Sequence, residues 1–460
     1  MGLIGGDVLV DVNDHVRLGV GSWGAVRGER GGFITLGLTG EVHQRLGTSW
    51  DSHAGLFVGA GGGRSSNTLA GGGLMLRSDV GLSYETSGSG NFGFGYSHVS
   101  FPNGVIRSTQ PYIRYEFPFY GLVNSGWSPT QTTDGPLGRS LPARSQEFSL
   151  VARDYVIPSS VLGTSGQPQH ARMQLMGVQW LSAIDTHWFT QIEAEGAMGG
   201  QSNGYMQILA GGGYRLALSN STTLKVHAAA GPAGGGGVDD GGGMLLDVGL
   251  AVQQRISARN ALEFSVGEVR APSGSFKARS LALQLTHQFG TPAVSSPDAV
   301  SWRALDGFDA EHLRVRAVSQ TYFKANPQWR SSDPQLSISS LGVQLDYFLS
   351  PHGYLTGQGL AAYAGKAGAY MTGQVGGGMH WPLTPNWFVE GEMLLGAAGG
   401  GGVAVSGGLV GQANVNLGYE FSKTLAILAT AGSIDAARGP FKAHVAGIAL
   451  SYQFTGFGAK

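Results

Sequence analysis

The 460-residue chain contains no cysteine. That excludes structural disulfides, thiolate metal sites and thiol catalysis together. Charge is scarce as well: 13% of residues are Asp, Glu, Lys or Arg, against about 25% in an ordinary soluble domain. The formal charge of −1 and a pI of 6.9 give no footprint for nucleic acid. Uninterrupted apolar runs of about 18 residues are also missing, since Gly, Gln, Arg or Asp breaks each stretch, so no helical membrane span is expected. A bilayer crossing by this chain would use strands. The opening MGLIGGDVLVDVN lacks the basic and long apolar regions of a secretory signal, which predicts that the numbering begins after a removed segment. The 12 histidines are dispersed without tight ligand spacing, so neither a metal site nor a cofactor is expected.

What is abundant is glycine, at 78 residues. No G-X-Y period accompanies it, and 20 Phe and 15 Tyr are scattered throughout, which argues against collagen-like or low-complexity chains. The remaining signal has period two, as in strands whose successive side chains face opposite sides. In Arg279–Phe289, Leu281, Leu283, Leu285 and Phe289 share one face, and Ala282, Gln284, Thr286 and Gln288 share the other. In Asn414–Phe421, Val415, Leu417, Tyr419 and Phe421 oppose Asn414, Asn416, Gly418 and Glu420. The same reading puts Lys225, His227, Glu193, Glu195, Asp247, Glu263, Asp346, Arg114 and Glu116 on polar faces. A soluble sandwich also alternates. Aromatic residues near strand ends and small residues on the polar faces favour a transmembrane barrel.

Three glycine-rich loops mark three copies of one module: GAGGGRSSNTLAGGG from Gly59, GPAGGGGVDDGGG from Gly231 and GAAGGGGVAVSGG from Gly396. Closing strands follow at QPYIRYEF, LALQLTHQF and AGIALSYQF, ending on Phe117, Phe289 and Phe454. The turns before them, HVSFPNG, EVRAPSG and SIDAARG, align without gaps. The expected division is module 1 over 1–119, a linker over 120–147, module 2 over 148–289, a linker over 290–312 and module 3 over 313–460, closing near 446–454. Module 1 opens inside its second strand, so one strand is expected to be missing upstream. The fold expected is an all-β, antiparallel transmembrane barrel of three tandem modules with about eight strands each, joined into one wide barrel of about 24 strands.

The closing AGIALSYQF, with alternating apolar residues ending on an aromatic, is similar to the C-terminal strand of Gram-negative outer-membrane β-barrels, although the chain runs on to Lys460. That resemblance covers nearly the whole chain as a pattern and implies an outer-membrane address. A narrower likeness concerns His98-Val99-Ser100. It resembles the His-x-Ser-Asn segment on the penultimate strand of eight-stranded lipid A 3-O-deacylases, in which His is the base and Ser the nucleophile. The sequence departs at Phe101, where that family has Asn, and offers only Glu116 to orient His98.

These features lead to a functional expectation without covalent chemistry: a wide conduit for export or passage of a polymer such as exopolysaccharide, or of a large solute. Its partners would be outer-membrane lipid and lipopolysaccharide, and a periplasmic partner or upstream domain. The alternatives are a lipid hydrolase using His98 and Ser100, and a structural or adhesive surface barrel. Glu193, Glu195, Glu390 and Glu392 either line a pore as an acidic ring or hydrogen-bond inside a filled lumen. The glycine loops read as rim loops, with room for adjacent loops to pack. Asp239 and Asp240 read as a solvated pair.

Overall fold

The computed structural model describes residues 1–28, 31–63, 69–86, 90–117, 121, 123–127, 142–293 and 307–459. Among them every element is a β-strand. Module 1 comprises β1 (Gly2–Asn13), β2 (Val16–Arg27), β3 (Ile34–Leu46), β4 (Trp50–Gly62), β5 (Leu74–Thr86), β6 (Gly90–Ser100) and β7 (Arg107–Glu116); the two-residue β8 (Asn124–Ser125) follows. Module 2 comprises β9 (Ala143–Val156), β10 (Arg172–Ala183), β11 (Trp188–Gly199), β12 (Met206–Ala217), β13 (Thr222–Gly234), β14 (Met244–Arg255), β15 (Asn260–Arg270) and β16 (Lys277–Pro292). Module 3 comprises β17 (Phe308–Lys324), β18 (Ile338–Phe348), β19 (Gly353–Ala364), β20 (Met371–Pro382), β21 (Trp387–Gly399), β22 (Leu409–Glu420), β23 (Leu425–Ala436) and β24 (Lys442–Ala459).

Neighbouring strands pair antiparallel throughout, and modules 2 and 3 each close on themselves. Leu150 of β9 lies opposite Val178 of β10 on one side and Leu285 of β16 on the other. In module 3, Ala317 of β17 lies opposite Val343 of β18 and Leu450 of β24. Module 1 is an open sheet of seven strands whose edges are β1 and β7. The single wide barrel expected from the sequence is therefore not formed. Eight strands enclose a space that inward side chains just fill, so each polar face finds its partners inside its own module. The strands also reach into the stretches read as linkers, at Ala143, Pro292 and Phe308. The rest of those linkers, 128–141 and 294–306, lies outside the described residues.

The faces follow the alternation. On β16, Leu281, Leu283 and Leu285 point outward and are exposed, while Ala282, Gln284 and Thr286 are buried. Exposed Val, Leu, Ile and Phe recur around both closed barrels, an apolar belt far beyond what a soluble surface carries. It ends at one rim in aromatic pairs: Trp50 with Tyr84 at 5.1 Å, Trp188 with Tyr214 at 5.3 Å and Trp387 with Tyr419 at 5.0 Å. Closed strands with an apolar outside, a polar inside and an aromatic girdle span a bilayer. Short turns lie at the girdle rim, where side-chain caps fix them. Asn13, Asp185 and Ser350 occupy matching turns, and each accepts the backbone N–H two residues on, from His15, His187 and His352.

Long loops occupy the other rim, and there the modules form a ring. β2 packs against β13 and β14, β11 against β21 and β22, and β19 against β4 and β5. Each module thus offers its third strand position to the fifth and sixth of the next, a heterologous contact that closes after three steps. Three glycines show the same cycle. A Cβ on Gly243 would sit 2.3 Å from the Ala25 carbonyl oxygen, on Gly408 2.0 Å from that of Ala197 and on Gly73 2.1 Å from that of Ala362. All three have φ near +100° (+97°, +97° and +100°), which an L side chain resists. A shared apolar cluster fills the centre: Ile34, Leu36 and Ala60 from module 1, Met206 and Ile208 from module 2, Ala361, Tyr363 and Met371 from module 3. The ring is clasped at the other end. β8 pairs with β24, and Trp127 stacks on His312 while its indole N–H donates to the Leu313 carbonyl at 3.1 Å.

Candidate functional site

Each lumen is built from inward residues that alternation places at successive levels. In module 2, β9 contributes Arg153, which meets Glu193 at 3.0 Å, Glu195 at 2.8 Å and Asp247 at 3.4 Å. Nearer the girdle, Lys225 bridges Glu147 at 2.6 Å and Glu263 at 2.7 Å. In module 3, β17 contributes Arg314 and Arg316. Arg314 meets Asp346 at 2.7 Å and Glu390 at 2.8 Å; Arg316 meets Asp346 at 2.7 Å, Glu390 at 3.2 Å and Glu392 at 2.9 Å. These groups are buried, and an ion taken from water at such a site costs several kcal/mol unless paired. Multiple partners offset that cost here.

Every acidic or basic residue singled out on the polar faces points inward: Glu193, Glu195, Asp247 and Glu263 in module 2, Asp346, Glu390 and Glu392 in module 3, and Arg114 with Glu116 in module 1. Arg114 meets Glu41 at 2.7 Å and Glu116 at 2.6 Å. None forms a free acidic ring; they are ion-paired or hydrogen-bonded inside the closed barrels of modules 2 and 3 and in the trough of module 1. What the sequence reading missed were the organising cations Arg153, Arg314 and Arg316. Their signal was present in LVARDYV and LRVRAV, where Arg alternates with apolar residues on a module's first strand.

Toward the long loops, each polar column ends under an apolar cap. In module 2, Tyr155 and Tyr205 donate to the Gln207 amide oxygen at 2.9 and 3.0 Å beneath Val161, Val238 and Phe276. In module 3, Trp329, Tyr370 and Phe441 close the lumen; in module 1, Phe33, Phe57 and Phe101 do so. These caps plug the lumens of modules 2 and 3 at the loop end; module 1 carries the same kind of cap but is open along its side, between β1 and β7.

The His98-x-Ser100 pair lies elsewhere. His98 is on the exposed face of β6, and its Nδ1 bonds to Thr109 Oγ1 at 2.9 Å. Glu116 faces the lumen and accepts from Ser83 at 2.9 Å, so it does not orient His98. A nucleophile, base and orienter are not assembled at this pair.

One cavity belongs to the whole ring. On the pseudo-threefold axis, among the long loops, a space of about 500 Å³ is lined by Gly31, Gly32, Gly62 and Gly63 of module 1, by Asn203, Gly204 and Gly235–Gly241 of module 2, and by Gly368, Ala369 and Gly400–Gly402 of module 3. Met206 and Met371 line it next to the apolar cluster. Its walls are mostly peptide groups. Among the described residues, the charged side chains of the lining are Asp239 and Asp240, and they are structural rather than solvated: Asp240 is buried, and Asp239 accepts from the Ser275 amide at 3.0 Å. The cavity lies within the size range of small-molecule sites, roughly 300–1,000 Å³.

No protein-family model matches the chain, and no curated protein sequence does. Among solved structures, it is similar to a bacterial polysaccharide outer-membrane secretin at 10% identity, over 96% of this chain and 99% of that one, with a TM-score of 0.25. It is similar to OpdQ of Pseudomonas aeruginosa at 9% identity, over 95% and 93%, with a TM-score of 0.28. A de novo designed transmembrane β-barrel matches at 12% identity over 33% of this chain and 99% of its own, with a TM-score of 0.23. At these scores nothing is carried over from those proteins, and the assignment rests on the barrels themselves. Closed antiparallel strands, the lipid-facing belt and the girdle make this chain a transmembrane β-barrel protein, the architecture of outer membranes.

Proposed function

We propose that the protein serves solute traffic at the outer membrane by holding a small polar solute in the axial vestibule. The observation that carries this reading is the vestibule itself: loops of all three modules converge on one cavity, while the two closed barrels beneath it are filled by side chains. Peptide groups dominate the lining, which suits a neutral, multiply hydrogen-bonding solute of sugar-like chemistry. Export of a polymer such as exopolysaccharide would need a lumen wider than any in the described structure. The test is titration of the reconstituted protein with glucose and maltose, followed by amide exchange in the loops. Protection confined to 31–32, 203–204, 235–241 and 400–402 is expected; unchanged exchange there with both sugars would remove the reading.

A second reading, passage of ions through a barrel, is favoured by one specific feature. Arg153 and Arg316 each touch three acids, so partners could exchange as an ion moves along the polar column. Planar-bilayer recordings separate the two. A silent bilayer agrees with the vestibule reading, and steady current that changes with Arg316→Leu agrees with passage.

A further inference from the structure

Module 1 has a seam that modules 2 and 3 lack. Among the described residues no strand lies between β1 and β7, and the ladder that ends at β1 on one side ends at β7 on the other. In hydrocarbon an unpaired backbone edge costs several kcal/mol per unsatisfied group, which is why membrane sheets close. Residues on both edges are shaped for a neighbour. Asp7 and Asp11 point into the trough from β1, and Tyr112, Arg114 and Glu116 do so from β7; Ile113 stands 91% exposed on the outer face.

Direction narrows what fits. Seven antiparallel strands leave β1 and β7 running the same way, so an antiparallel closure takes an odd number of strands. A second copy in the same membrane would bring its β1 to this β7 in parallel, the less stable ladder. One strand, antiparallel to both edges, fits. The other modules show where it belongs. In module 2 the equivalent gap is filled by β9, which reaches β10 through a long-rim loop; in module 3 it is filled by β17, which reaches β18 in the same way.

We propose that the seam is completed by one amphipathic β-strand that lies antiparallel to both β1 and β7, as β9 lies to β10 and β16. Its alternate residues are apolar toward lipid and polar toward the trough. Register carried over from module 3 sets the chemistry at one position. Arg314 lies between Asp346 and Gln453, whose counterparts in module 1 are Leu9 and Glu116. A basic residue there would meet Glu116. The strand would complete around Arg114 the enclosure that β9 completes around the Arg153 cluster.

The test compares the 460-residue chain with the same chain carrying a copy of 308–337, β17 and its loop, fused ahead of Gly2. Both are reconstituted in phosphatidylcholine vesicles, and amide exchange is read strand by strand. The expected result is fast exchange in β1 and β7 of the first protein, falling in the fusion to the rates of β9 and β16. Edges that stay fast in the fusion overturn the proposal. Edges already slow in the unfused chain also overturn it; protection that grows with protein density would then assign the seam to a second copy.

Discussion

Modules 1 and 2 carry the same kind of inward chemistry in different degrees of enclosure. Around Arg153 the cation and its three carboxylates have side chains at most 3% exposed. Around Arg114 the cation and Glu116 are each 19% exposed, and Arg17 is 22% exposed. The difference is one strand. It shows that the ion pairs do not hold the barrel shut by themselves; closure of the ladder removes the water, and that makes the pairs both costly to break and necessary.

The largest test of that contrast is to remove one cation from each module. Arg153→Met leaves Glu193, Glu195 and Asp247 facing one another without it, and should cost about 3–5 kcal/mol in urea unfolding from vesicles. Arg114→Met, beside an open trough, should cost about 1 kcal/mol. Equal losses would mean that module 1 is as closed as module 2.

Next come the joints of the ring. Gly408→Val drives a side chain into the Ala197 carbonyl at a left-handed φ and should cost about 2–3 kcal/mol. It should also loosen module 2 from module 3, seen as new protease cuts between them. Gly373→Ala, with nothing within 4 Å of the added carbon, should stay within about 0.5 kcal/mol. Trp127→Ala removes the stacked clasp on His312 and should cost about 1 kcal/mol, read by thermal unfolding of module 3.

The smallest effect is a pH response in one turn. Asp185 accepts from the His187 and Trp188 amides at 2.6 and 2.7 Å, and these bonds hold its carboxyl below the usual range. A carboxyl with a lower pKa in the folded state gives its full contribution above the unfolded value of about 3.9 and loses it as pH falls through the folded value. Protection of the Trp188 and His187 amides, measured against their intrinsic exchange rates at each pH, should therefore fall below pH of about 4. Exchange at His15, capped by Asn13, should not change with that titration.

Much of this was legible in the sequence. Period two told lipid from lumen correctly in RSLALQLTHQF and NVNLGYEF, because a pleated strand has no other way to place successive side chains. The seven, eight and eight strands of the three modules followed from turn spacing. Closure was not legible. Leu150 and Leu285 show the same outward alternation in a barrel of eight or of 24 strands, so the pattern is silent on which strand comes after β16. The glycine runs read as rim loops, and only the ring explains why Gly73, Gly243 and Gly408 must lack a side chain: each lies on another module's backbone. His98 and Ser100 were matched by letters, whereas their face depends on register.

Separate closure is tested most directly by cross-linking, since the chain has no cysteine of its own. Leu150→Cys with Leu285→Cys places thiols on directly paired residues of β9 and β16, both facing lipid. Oxidation in intact outer membranes should link them, giving a band of altered mobility that reduction reverses. Absence of that link, together with efficient cross-linking of cysteines placed on β16 and β17, would contradict three separate modules and restore the single wide barrel.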